Sequence, residues 1–179
     1  MQGLCDARPP GVDLAAAICV LLAPPPATRI TELSLADNFL RREGAAALAA
    51  VLPSLSMLTT LDVSGNPPPP PSRTNWTRLV PSMLTTLDVS GNNFFKEGAA
   101  ALAAPLAVGV TTLTAFSIAS NWIAPEGVAH LAPALRANAG LAALSLRQNG
   151  LGAEGCRLLA QVAARAFVGA LLVSCGLCQ

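Results

Sequence analysis

The chain has 179 residues, 53% of them apolar and 12% charged, with 11 lysines and arginines against 10 aspartates and glutamates. That composition excludes a wholly disordered chain, and the near-neutral balance excludes the strong single-sign field that draws in nucleic acid or a membrane surface. Alanine raises the mean hydropathy to +0.53, yet the longest apolar runs, Leu14–Ala23 and Gly98–Val110, are too short to cross a bilayer as a helix.

Residues 1–29 are expected to form a capping helix and a proline-rich lead-in. Leu14, Ile18 and Leu22 fall at spacing four, on one helical face, and Pro24-Pro25-Pro26 ends the run. The same run resembles the apolar core of a signal peptide, but Asp6 and Asp13 precede it and three prolines follow. Cys5, Cys19, Cys156, Cys175 and Cys178 are an odd set without the density of a disulfide framework, which points to a reducing compartment and a cytoplasmic location. Cys175 and Cys178 form a lone C-x-x-C, with no second pair to complete a tetrahedral metal site and His130 far away in sequence; small apolar packing is the expected role.

From residue 30 onward the chain is periodic. Leu33, Leu61, Leu87, Phe116 and Leu144 each open the pattern apolar-x-apolar-x-x-Asn. The five blocks read ITELSLADN from 30, LTTLDVSGN from 58 and again from 84, LTAFSIASN from 113 and LAALSLRQN from 141. Apolar residues at the fourth and sixth places alternate with small polar ones, the signature of a short strand with one buried face. Glu-Gly pairs then open a helix at Glu43-Gly44, Glu97-Gly98, Glu126-Gly127 and Glu154-Gly155. Leu48 and Leu52, Leu102 and Leu106, and Leu131 and Leu135 lie one turn apart on its buried face, and alanine supplies helix propensity in a small volume.

Neither half of such a unit can bury its apolar side alone, so the units stack, strands in a parallel sheet and helices on the other side. Helices need roughly 10 Å of width and strands under about 5 Å, so the stack bends with the sheet inside. Asn38, Asn66, Asn92, Asn121 and Asn149 are expected to be a structural ladder, each amide serving backbone groups where the chain leaves its strand.

The motif L-x-x-L-x-L-x-x-N followed by a helix resembles the leucine-rich repeats of ribonuclease inhibitor, a repeat type also found in NOD-like receptors and Ran GTPase-activating proteins. The resemblance covers residues 30 to about 165. It implies an α/β leucine-rich-repeat solenoid, a horseshoe segment with parallel strands on the concave face and helices on the convex one. The repeat domain is placed at 30–179, ending in a truncated sixth strand within 168–179; such an end is either an internal part of a larger array or an edge that something covers.

The second repeat departs from the pattern: Pro67–Pro71 follow Asn66, and the segment 67–81 has neither the glutamate nor the glycine. Trp76 and Val80 still fall where other repeats carry helix-core residues, which favours a degenerate turn of the solenoid. The alternative is a tandem duplication or a mis-joined gene, because SMLTTLDVSGN occurs at 56–66 and 82–92 and EGAAALAA at 43–50 and 97–104. Pro68-x-x-Pro71-x-Arg73 matches the form of an SH3-domain ligand, a match any proline run near an arginine produces.

Outward strand residues line the concave face. Glu32, Asp37, Asp62 and Asp88 make one half acidic and Arg147 with Gln148 end the other, which suggests a basic segment of a partner, although the LDVSGN wording serves the fold as well. Phe94 and Trp122, beside the buried places of Leu40, Ile123 and Leu151, are expected to pack, with a partner anchor as the alternative role of Trp122. No catalytic residue, metal ligand or cofactor site is expected: His130 has no partners spaced for a triad, and no phosphate-cradling glycine loop is present. The predicted function is a non-catalytic protein–protein interaction scaffold, whose partner is another protein and not a nucleic acid or membrane. The alternative is a regulator of a small GTPase, for which no catalytic arginine or asparagine is placed.

Overall fold

In a computed structural model of the chain, the described residues are 29–38, 40–66, 83–109, 112–138, 140–166 and 172–174. The N-terminal helix expected over Gly11–Leu22, the proline run with Trp76 and Val80, and the Cys175–Cys178 pair lie outside them.

Six three-residue strands form one parallel sheet in sequence order: β1 (Glu32–Ser34), β2 (Thr60–Asp62), β3 (Thr86–Asp88), β4 (Ala115–Ser117), β5 (Ala143–Ser145) and β6 (Leu172–Ser174). Among the described residues four α-helices follow β1, β3, β4 and β5 in turn: α1 (Arg41–Val51), α2 (Phe95–Gly109), α3 (Ala124–Ala137) and α4 (Gly152–Ala166). The register follows the sequence blocks, since Leu33, Leu61, Leu87, Phe116 and Leu144 are each the Cα partner of the next, and Leu144 of Val173. β3 therefore pairs directly with β2, and the repeated LTTLDVSGN strand takes its own place in the ladder.

In β2 to β5 the middle residue is buried and its two neighbours half-buried. These middle residues join the following Val63, Val89, Ile118 and Leu146 and the helix residues Leu48, Leu102, Leu131 and Leu135 in one core. A core leucine at this degree of burial contributes about 1.5–3 kcal/mol. In β1 the pattern differs: Leu33 is half-buried and both neighbours are exposed, because no described repeat covers that side of the strand.

Each helix begins two residues before its glutamate, so the Glu-Gly pair lies inside the first turn and does not open it. The glycine is required there by closeness. A Cβ at Gly98 would stand 2.6 Å from Cβ of Phe94, one at Gly127 2.7 Å from Cβ of Ile123, and one at Gly155 2.8 Å from Cβ of Leu151. The turn folds down onto the buried residue two places after each asparagine, and only a residue without a side chain lets the amide reach that residue's carbonyl, at 2.8–3.0 Å in these three repeats.

Candidate binding surface

The asparagines define where the strands end. Asn66, Asn92, Asn121 and Asn149 are buried and Asn38, in the first repeat, is half-buried. Each buried amide nitrogen shares its two hydrogens among three carbonyls: for Asn121, those of Val89 (2.9 Å), Ile118 (3.1 Å) and Ala119 (2.9 Å). One of those carbonyls belongs to the preceding repeat, so every amide ties two repeats together. The side-chain oxygen reaches back the same way. Asn66 Oδ1 accepts from the N–H groups of Asn38 and Leu40, Asn121 Oδ1 from Asn92 and Phe94, and Asn149 Oδ1 from Asn121 and Ile123.

Asn92 breaks the series. Its nitrogen donates to Val63, Val89 and Ser90, but its buried Oδ1 has no partner. By register its second donor would be the residue two places after Asn66, and that residue is Pro68, which has no N–H. The first donor, the Asn66 amide, does not reach it either; Pro67 restricts the backbone at Asn66. The proline run thus leaves its mark one repeat further on, as an orphaned acceptor.

The strand-exit turn places the candidate binding residues. The residue before each asparagine is in the left-handed region: Asp37 (φ 56°), Gly65 (65°), Gly91 (67°), Ser120 (54°) and Gln148 (54°). Asp62 Oδ1 accepts from Ser64 N–H (3.0 Å) and Ser64 Oγ (2.7 Å), its Oδ2 accepts from Ser34 Oγ (3.1 Å), and Asp88 Oδ1 accepts from Ser90 N–H (2.9 Å). These two aspartates therefore cap the turns that follow their own strands. They are also register partners on neighbouring strands. Asp37 is exposed with its carboxylate lying across Gly65, where any Cβ would collide with it. Glu32 is exposed at the β1 edge, and Arg147 and Gln148 are exposed at the far end, with Gln148 Oε1 accepting from Ser120 Oγ (2.7 Å). The acidic residues and the Arg147–Gln148 pair are thus on one face but at its opposite ends. Between them lies a shallow groove of about 300 Å³ over β3 to β5, rimmed by Thr86, Asp88, Ala115, Ser117, Ala143 and Ser145.

Two features escape sequence reading. At strand entry, Thr59, Thr85 and Thr114 each donate a hydroxyl to the carbonyl of the equivalent residue one repeat back, at 3.0–3.1 Å, forming a second ladder that mirrors the asparagines. Four threonines at one block position, Thr31, Thr59, Thr85 and Thr114, were the available signal. The second is a correction: Phe94 is buried, but Trp122 does not pack and is 65% exposed, with Phe95 at 52%. Phe94 itself fills the place of Leu40, Ile123 and Leu151, whereas Trp122 stands one residue after its asparagine, on the crest of a left-handed turn that turns it outward.

Among the described residues the one ion pair is Arg157–Glu154, exposed and bidentate, joining the first and second turns of α4. The hydrogen bond from Arg157 holds the Glu154 carboxyl below its ordinary value, and Glu154 in turn raises Arg157.

A family model described as Leucine Rich repeat matches residues 80–103 and 111–132, the stretches that carry β3 with the first half of α2, and β4 with most of α3. The chain carries leucine-rich repeats. Matched and unmatched leucine-rich repeats share one strand register, so the fold is an α/β leucine-rich-repeat solenoid of parallel strands alternating with helices. Leucine-rich repeats generally mediate protein–protein interaction, through the extended surface that stacking creates. No curated protein matches the sequence. No helix among the described residues is long and apolar enough to cross a membrane.

Proposed function

We propose that the chain is a non-catalytic scaffold of the ribonuclease-inhibitor-like type, as in the arrays of NOD-like receptors, and that it holds another protein on its strand face. A strand, a left-handed turn and an eleven- to fifteen-residue helix in the first, third, fourth and fifth repeats support that type. The acidic half, Glu32, Asp37, Asp62 and Asp88, receives a basic segment of the partner, and Arg147 with Gln148 contacts the partner's other end. The observation that carries this reading is the side-by-side placement of Asp62 and Asp88 on an open face, in no ion pair among the described residues. Like charges held in register steer a basic partner and set its orientation. The balance of 11 basic against 10 acidic residues favours a protein over a nucleic acid or membrane as the partner, and the sparse cysteines support the cytoplasm.

The test must separate charge from turn-capping. Asp62→Asn and Asp88→Asn keep an acceptor for the serine amides and remove the charge. Recovery of bound partners from source lysate should fall for the double variant and weaken as salt rises. Equal recovery at every salt concentration would remove the acidic residues from the binding surface.

A further inference from the structure

The strand-exit edge carries a feature distinct from the strand face. In the last three complete repeats the chain passes through two more left-handed residues after each asparagine. One place on stand Asn93 (φ 51°), Trp122 (56°) and Gly150 (63°); three places on stand Phe95 (51°), Ala124 (58°) and Gly152 (54°). The repeat of β5 fills both places with glycine, which adopts that conformation without a steric penalty. The neighbouring repeats put tryptophan and phenylalanine there, bulky residues for which it is an outlier. Burial does not compensate them: Trp122 is 65% and Phe95 52% exposed, against 5% for Phe94.

The two aromatics are neighbours. Phe95 N–H donates to the carbonyl of Asn121, the residue before Trp122, at 2.8 Å. In the next repeat the equivalent places are Gly150 and Gly152, which carry no side chain to cover the indole. Glu97 and Glu126, in the first turns of α2 and α3, are exposed and in no ion pair among the described residues, whereas their counterpart Glu154 is paired with Arg157. Lys96 is the one basic residue in the first turns of α2 and α3, so those turns together carry two carboxylates and one ammonium and are net acidic.

An exposed aromatic step beside unpaired carboxylates is complementary to one chemistry. We propose that this edge binds an arginine-bearing extended segment of a partner protein, with the guanidinium over Trp122 and paired to Glu126 or Glu97. Tryptophan is the best aromatic acceptor for a cation, and a planar guanidinium can stack on a ring while hydrogen-bonding a carboxylate in its own plane. The surface is separate from the acidic strand face and stands without it.

Trp122 reports on its own contact. In the full chain carrying Trp76→Phe it is the sole indole, and its fluorescence can be titrated with acetyl-Gly-Arg-Gly-Arg-Gly-amide and with the citrulline analogue, equal in shape but uncharged. The arginine peptide should give a saturable change, with the citrulline peptide and the Glu97→Gln/Glu126→Gln variant each weaker by about two- to fivefold or more. Asp62→Asn/Asp88→Asn should leave the affinity unchanged, so failure of this surface and failure of the strand face are told apart. Should Trp76→Phe perturb folding, the Trp122 indole N–H resonance of the unaltered chain, assigned with Trp122→Phe, reads the same contact by NMR. Equal affinity for the two peptides, no saturable change, or dependence on Asp62 and Asp88 in place of Glu97 and Glu126 would each overturn the proposal.

Discussion

Replacing Asn121 and Asn92 separately by alanine isolates what the asparagine oxygen does for the solenoid. Both side chains are fully buried, both share their amide hydrogens among three carbonyls at 2.8–3.1 Å, and both leave the same small cavity when truncated. Those losses cancel in the comparison. What remains is the acceptor: Asn121 Oδ1 serves the Asn92 amide at 2.9 Å and the Phe94 amide at 3.3 Å, whereas Asn92 Oδ1 serves none. Withdrawing an acceptor from a buried amide costs about 1–3 kcal/mol, and removing an orphaned oxygen recovers about 1 kcal/mol. The 3.3 Å bond is too long to add much, so the 2.9 Å bond sets the difference, and Asn121→Ala should be more destabilising than Asn92→Ala by about 2–4 kcal/mol. Urea unfolding followed by far-ultraviolet circular dichroism measures both, provided the transition slopes agree. Losses equal within about 0.5 kcal/mol would refute the claim that the ladder is broken at Asn92.

Three further outcomes follow from the same geometry. Gly127→Ala should destabilise by about 1–3 kcal/mol despite alanine's better helix propensity, because its Cβ would lie 2.7 Å from Cβ of Ile123 and 3.1 Å from Cβ of Ala99, atoms fixed to backbone; a neutral result in thermal unfolding would contradict the packing. Pro133→Ala should stabilise by about 1–3 kcal/mol, since Pro133 is exposed within α3 and interrupts its hydrogen-bond ladder; an unchanged melting temperature would contradict this. Glu154 should titrate below the ordinary carboxylate value and return to it in Arg157→Ala, as read by NMR. Because the folded value is the lower one, the pair's contribution is present above the unfolded carboxylate pKa and lost as pH falls through the folded value.

The sequence made the repeat legible because burial imposes period. Leu33, Leu61, Leu87, Phe116 and Leu144 had to pair with one another once Asn38 to Asn149 marked equivalent points, and the sheet has that register. Hydropathy does not encode backbone dihedrals, so the outward turn of Trp122 was invisible from its apolar character; Gly150 and Gly152 at the equivalent places were the overlooked sign of left-handed backbone. Likewise Asp62 and Asp88 read as surface charge, and only the hydrogen bonds to Ser64 and Ser90 show that they also cap turns. Pro68 lay in plain sight, yet its effect on Asn92 depends on the direction of donation between repeats, which no pattern of residue types specifies.

The central claim is that a partner lies on the strand face, and site-specific photocrosslinking tests it most directly. A photoreactive residue at Ser117, in the middle of the sheet, and another at exposed His130 on α3 should be placed in otherwise identical chains. The account predicts a partner adduct from position 117 that is diminished by Asp62→Asn/Asp88→Asn, and no adduct of that partner from position 130. The same partner captured from position 130, with position 117 silent, would contradict it.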